Sequence, residues 1–401
     1  MFLLVCLSLA GFFDSFATSF RYTMITYVRE DFKVTFGFMV NMFTWVYLGS
    51  CLSFVPRVLA DICGRKIILW TTMAGLCFLQ WLVGLARTPY EYVALLLLLA
   101  VFYKSDIWLL VMSEEAPPRH RGLCAALTVA FSGCGALVLG ELVHHMGAAP
   151  DAWRSVARFP LWGVFASLPV ILFMRETSHF CQMRSGLARR AGLRLMFAPF
   201  RRAFIKPLVV MSILKMLFAG GAIVTMALLG TEYLRVDNGF GPELIGRIVQ
   251  LEVLAIMASW VVAGFLSDRI GRHACLYLFG ALYVVALLQL ALLPKGSTGV
   301  VIAYITQISA GIGVFAILRV ATMELFPNDC RATASAWTDL FTTLFAAATA
   351  RILGSITTPG TPGEHPIALS KCIIAVAVSV PLILPWFALL RETRGRRLEE
   401  V

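Results

Sequence analysis

Charge is scarce in this sequence. Only 14% of its 401 residues are Asp, Glu, Lys or Arg, against about 25% in ordinary soluble domains. The chain also lacks a Gly-x-x-x-x-Gly-Lys-Ser/Thr loop to cradle nucleotide phosphates, so work driven by ATP has no support. No Asn-x-Ser/Thr acceptor for N-glycosylation occurs. The ten cysteines are scattered, mostly inside apolar runs, and none is paired at metal-ligand spacing; they read as small core residues, and neither a metal nor another cofactor is expected. The opening MFLLVCLSLAGFF lacks the basic stretch that begins a secretory signal, and its apolar character runs past any cleavage site. It reads as a first membrane span, and because no tail precedes it, a start further upstream is left open. No nucleophile, base and orienting group recur at usable positions, so an enzyme is not expected.

What the chain has is apolar surface. Its hydrophobic fraction is 59% and its mean hydropathy +0.81. A hydrocarbon layer takes about 20 apolar residues per helical crossing, and only helices or closed barrels satisfy their backbone there. The runs are too long and continuous for alternating barrel strands. Breaking them at charged and Pro/Gly clusters predicts twelve helices, near 2–24, 37–58, 67–86, 91–112, 122–144 and 158–174, then 206–230, 243–266, 274–293, 299–320, 332–356 and 368–390. If the first helix runs outward, twenty of the 34 Lys and Arg fall in cytoplasmic segments and nine on the far side. The positive-inside rule therefore expects both termini in the cytoplasm. This distribution accounts for the net charge of +11 through anionic lipid headgroups, without nucleic acid.

A basic segment, 175–205, divides the chain into a bundle over 1–174 and a second over 206–401, and the two repeat. Asp61-Ile-Cys-Gly64-Arg65-Lys66 recurs as Asp268-Arg269-Ile-Gly271-Arg272-His273, and Glu114-x-x-Pro117-x-x-x-Arg121 as Glu324-x-x-Pro327-x-x-x-Arg331. The two offsets differ by only three residues, which points to parallel six-helix repeats. The expected fold is an all-α membrane protein of twelve transmembrane helices in two pseudo-symmetric six-helix bundles.

These motifs resemble those of the major facilitator superfamily over essentially the whole chain. The second loop copy, Gly264-x-x-x-Asp268-Arg269-Ile-Gly271-Arg272, is nearly the superfamily's Gly-x-x-x-Asp-Arg-x-Gly-Arg-Arg marker; the first departs at Arg57 and Ile62. The Glu-x6-Arg pairs and Arg391-Glu392-Thr393-Arg394-Gly395 are similar to the branch that carries sugars and other metabolites. Ser212 to Gly220 lacks that branch's Gln-Gln sugar signature, which disfavours a hexose. Phe13-Asp14-Ser15-Phe16-Ala17 is similar to the Asp-Gly-Phe-Asp of proton-coupled metabolite symporters, with the second acid replaced by Ala17. The short first outer loop and the preference for Arg over Lys look bacterial, so the bacterial inner membrane is the expected location. The resemblance implies a cytoplasmic gate of Asp61, Arg65, Glu114, Arg121, Asp268, Arg272, Glu324, Arg331 and Glu392. Elementary physics agrees that carboxylates at helix ends, beside arginines, form charge-assisted pairs able to hold a face closed.

Charges within spans carry more information, because an ionised group near the bilayer centre costs at least about 2.5 to 3.5 kcal/mol. Such groups normally face a partner or a cavity. In the superfamily the first, fourth, seventh and tenth helices line the cavity, and Asp14, Arg21, Lys104, Asp106, Lys215 and Arg319 fall on those four. Arg21, Lys104, Lys215 and Arg319 are candidate contacts for an anionic substrate. Asp14 is the first candidate for the coupling proton, with Asp106 and Asp339 in reserve, since desolvation raises a carboxylate's pKa and lets it take up a proton. Buried structural pairing among Lys104, Asp106 and Asp14 is the plainer alternative. The expected function is secondary transport of a small organic anion by proton symport, with solute, protons and lipid as partners and a functional monomer. Efflux of an organic cation or drug, and a non-transporting sensor or assembly protein on the same scaffold, remain open.

Overall fold

The structure, a computed structural model, describes residues 2–102, 107–115, 121–147, 149, 151–177, 197–202, 204–326, 328–357 and 369–390. Among these residues nine helical stretches are long and apolar enough to cross a membrane, and two shorter apolar helices, Pro89–Phe102 and Thr128–His144, accompany them. With the opening helix α1 (Phe2–Thr23) these elements stand at the places of the twelve expected spans. Large apolar side chains lie bare on the outer faces, Leu292 at 78% and Trp162 at 71% among them. That is stable only where acyl chains cover them.

The chain divides into two compact units, Met1–Arg189 with Gly241–Gln250, and Arg190–Phe240 with Leu251–Val401. In the first, α1 is followed by α2 (Ile25–Phe32), α3 (Phe36–Ser50), α4 (Phe54–Cys63), α5 (Arg65–Val83), α6 (Pro89–Phe102), α7 (Ile107–Glu115) and α8 (Arg121–His144). Three short helices close it: α9 (Trp153–Arg158), α10 (Leu161–Ala166) and α11 (Leu168–Phe173). The tightest packing is α1 against α8. Gly135 of α8 lies directly on the Phe12 carbonyl, a seat with no room for a side chain, in keeping with the small-residue contacts of membrane helices. Asp31, at the end of α2, accepts from the Trp153 indole (3.1 Å) and from the Arg154 guanidinium (2.8 Å), which ties α2 to α9.

The second unit holds α12 (Ile205–Lys215), a π-helical stretch (Met216–Ile223), α13 (Val224–Glu232), most of α14 (Pro242–Ile270), α15 (Arg272–Leu292), α16 (Thr298–Leu325), α17 (Asn328–Thr357) and α18 (Leu369–Ile383). Here α15 packs on α16 and α18, while α17 packs on α12 and the π-helical stretch.

The sequence repeat is visible in the backbone. Gly64, between α4 and α5, has φ 111°, and Gly271, between α14 and α15, has φ 100°. Both fall where residues with a Cβ are strained, and each turns the chain sharply between two long helices at the same place in the motif. The helix that follows each glycine then starts on an arginine, Arg65 or Arg272.

Candidate functional site

Lys215 closes α12, ten residues after Ile205. At 1.5 Å per residue that is roughly 15 Å into the span. The helix continues as the π-helical stretch over Met216–Ile223, whose sequence MLFAGGAI places two glycines at its centre. Gly220 touches α17: a Cβ there would stand 2.7 Å from the Thr342 carbonyl oxygen. The widened turn leaves carbonyls to be satisfied. Tyr283 donates its hydroxyl to the Ala222 carbonyl (3.1 Å) and Thr225 to that of Gly221 (2.8 Å). Such π segments inside helices cluster at functional sites.

This backbone contact sets Lys215 against the centre of α17. Its Nζ donates to Thr338 Oγ1 at 3.0 Å and to Asp339 Oδ1 at 3.1 Å. Thr338 passes its own proton to the Ser335 carbonyl (2.9 Å), so its oxygen is left to accept from the lysine. Thr342 and Thr343 bond back to the carbonyls of Thr338 and Asp339, each at 2.8 Å, a pattern that tends to bend a helix locally. The two ends of the ion pair differ in environment: the Lys215 side chain is 1% exposed and that of Asp339 is 54% exposed. Asp339 lies eleven residues into α17, roughly 16 Å from its start. An exposed carboxylate at that depth normally faces a partner or a cavity, because in acyl chains its charge is costly. Ser212, one turn before Lys215, is buried and its Oγ has no hydrogen-bond partner among the described residues.

A second cluster lies at the end of the unit, where the loop motif turns. Arg272 donates to Glu324 through Nη2 (2.6 Å) and Nε (3.2 Å), a bidentate pair, and through Nη1 to Asp268 Oδ1 (2.8 Å) and the Ser267 carbonyl (2.8 Å). Three of the expected gate residues, Asp268, Arg272 and Glu324, thus meet within one unit. In the first unit Glu176 takes a comparable seat. Its Oε1 accepts from the backbone N–H groups of Arg65 (2.9 Å) and Lys66 (3.2 Å), capping the start of α5, where a carboxylate suits the positive end of the helix dipole.

Of the other sequence candidates, Arg21 is 2% exposed. Its Nη2 donates to the Tyr22 hydroxyl (2.8 Å), which lies 3.0 Å from that of Tyr47 on α3. Asp14 is half-buried on α1 and Arg319 half-buried on α16, the latter without a hydrogen bond or ion pair among the described residues. Lys104, Asp106 and Glu392 lie outside the described residues, as do the side chains of Asp61, Glu114, Arg121 and Arg331. Sequence reasoning missed Thr338, Ser212 and Glu176 as partners. It also missed a polar clasp in the first unit, where Glu141 of α8 accepts from Gln250 (2.6 Å) and lies 3.6 Å from Arg247. Only Glu176 carried a signal: it follows the sixth expected span as Glu392 follows the twelfth.

A helical membrane-spanning protein, with a lysine-carboxylate pair at mid-depth and an arginine-carboxylate cluster at a helix turn, has the form of a polytopic carrier. The chain belongs to the Major Facilitator Superfamily, whose sequence model matches residues 7–350. Membership places it among transporters and not among enzymes. A curated relative from Cupriavidus pinatubonensis, described as "Probable 4-methylmuconolactone transporter", is 25% identical over 366 residues, covering 86% of this chain and 79% of that protein. Solved structures agree in fold. The nucleoside transporter NupG superposes with a TM-score of 0.78 at 12% identity, over 97% of this chain and 100% of that one. The inward-open xylose transporter XylE from E. coli gives 0.72 at 14% identity, over 99% and 98%.

Proposed function

We propose that this carrier moves a small organic anion, a carboxylate metabolite, across the bacterial inner membrane by proton symport, with both termini in the cytoplasm. The observation that carries the reading is Lys215: a lysine 1% exposed, mid-span on a helix that lines the cavity in this superfamily, whose partner carboxylate is open to water. A fixed, desolvated cation beside a water-filled space favours an anion. Arg21, Lys104 and Arg319 supply further positive charge on the other cavity helices. The named substrate of the Cupriavidus relative suggests the same class of solute.

Coupling falls to a carboxylate among Asp339, Asp14 and Asp106. The halves over 1–174 and 206–401 alternate access as a monomer, joined by the basic segment 175–205. The clusters at Arg272 and Glu176, with Asp61, Glu114, Arg121, Arg331 and Glu392, brace the cytoplasmic face. Purified protein in proteoliposomes is offered radiolabelled 4-methylmuconolactone, benzoate and succinate, with choline as a cation. Saturable uptake of an organic acid, faster at acidic external pH, is expected. Uptake of choline alone would overturn the reading in favour of a cation carrier, and uptake of none would favour a non-transporting sensor or assembly protein.

A further inference from the structure

We infer that Asp339 is a built-in stand-in for the substrate's carboxylate: in the empty protein it occupies the seat on Lys215 that the solute takes, and a proton on Asp339 vacates that seat. The inference rests on the organic-anion reading and adds which group carries the proton, in what order, and in what ratio.

Burial makes the seat obligatory. An ammonium 1% exposed is strongly disfavoured without an anion, because the removal of one partner leaves an uncompensated buried charge. Thr338 is a neutral acceptor whose hydroxyl proton is already engaged with Ser335, so it cannot replace that anion. Asp339 is the group that can leave. Only its Oδ1 reaches Lys215, and more than half of its side chain is exposed, so a proton can reach it from a water-filled path.

An incoming carboxylate finds more than Asp339 uses. Lys215 has three N–H donors, of which the described residues engage two. Ser212 stands three residues earlier on the same helix face, 6% exposed, its hydroxyl unpartnered. A buried hydroxyl without a partner is uncommon enough to call for an explanation. A carboxylate has two oxygens: one fits Lys215 and the other the Ser212 hydroxyl, which Asp339 leaves unserved.

Charge counting gives the coupling rule. In the empty site Lys215 and ionised Asp339 sum to zero. With solute bound, Lys215, the solute carboxylate and protonated Asp339 again sum to zero. The two mixed forms each carry net charge: Lys215 beside protonated Asp339 without solute is an unpaired buried cation, and Lys215 between two carboxylates carries an excess anion. Both are disfavoured at this depth, so the site crosses the membrane either empty or with one proton and one carboxylate. No bond is made or broken beyond the O–H on Asp339, whose proton enters from water on one side and leaves to water on the other.

The test uses full-length protein in proteoliposomes, with whichever of the two monocarboxylates 4-methylmuconolactone and benzoate the wild type takes up faster. For a gradient of one pH unit and one proton per carboxylate, wild type should accumulate the acid about tenfold. Asp339→Asn, which mimics the protonated form, should bind the acid at neutral pH at least as tightly as wild type and exchange it in counterflow. Its accumulation ratio should fall to about onefold, and its affinity should no longer vary with pH. Asp339→Glu should restore part of the accumulation. An Asp339→Asn protein that still accumulates the acid at the wild-type ratio, or that folds but no longer binds it, overturns the inference while leaving the anion-carrier reading intact. As a check free of substitutions, titration calorimetry of wild type in buffers of different ionisation enthalpy should show about one proton taken up per carboxylate bound; no uptake overturns it. A wild type that transports none of the acids overturns the function itself.

Discussion

Lys215 and Arg272 are both basic residues held almost out of water, and they serve opposite ends of the problem. Lys215 shares its charge with one half-exposed carboxylate and one hydroxyl. Arg272 is enclosed by two carboxylates and a carbonyl through a planar fork that matches Glu324 on two nitrogens. The first arrangement can exchange partners and the second is built to hold. Replacing Lys215 by Gln removes the cation but keeps a polar side chain, so uptake of an organic acid should fall about tenfold or more, the worth of one charged hydrogen bond, with expression unchanged; initial uptake rates check this. Arg272→Lys keeps the charge but loses the fork. It should lower stability in detergent by about 1.5 to 3 kcal/mol, seen as a lower melting temperature, and Glu324→Gln should lower it in the same direction.

Among the elements, the helix pair of α12 and α17 shows why a lysine in a membrane span finds its partner. The π-helical stretch after Lys215 rests on α17 through Gly220, where any Cβ would meet the Thr342 carbonyl at 2.7 Å. Gly221 is different: a Cβ there would have its nearest contact with the Phe345 ring at 3.4 Å. Gly220→Val should push the two helices apart, lengthen the Lys215 to Asp339 contact and abolish uptake. Gly221→Ala should leave uptake within about twofold, since a surface or loosely packed change costs little. Parallel uptake assays of the two variants check the pair, and loss in both or in neither would contradict it. From sequence, the helices were legible because apolar length is a local property. The pairing of Lys215 with Asp339 was not: the two lie on different spans, and nothing in the residues between them encodes which faces meet. The same reason applies to the contact of Glu324 with Arg272, which lie on different helices.

For the whole molecule, the duplicated motif was the most informative part of the sequence. It located two equivalent turns, and both end on glycines at φ near 100°, Gly64 and Gly271, each followed by a helix that opens on an arginine. What the repeat could not carry is the difference between the halves. The charged pair at mid-depth in the second unit joins Lys215 to Asp339, whereas Arg21 in the first is buried among tyrosines. The most direct measurement is proton movement itself, read with a pH-sensitive dye sealed inside proteoliposomes while an organic acid is added outside with no imposed gradient. Symport predicts that the lumen acidifies as a monocarboxylic acid enters, at about one proton per molecule taken up. Uptake with no change in internal pH, or with alkalinisation, would contradict it.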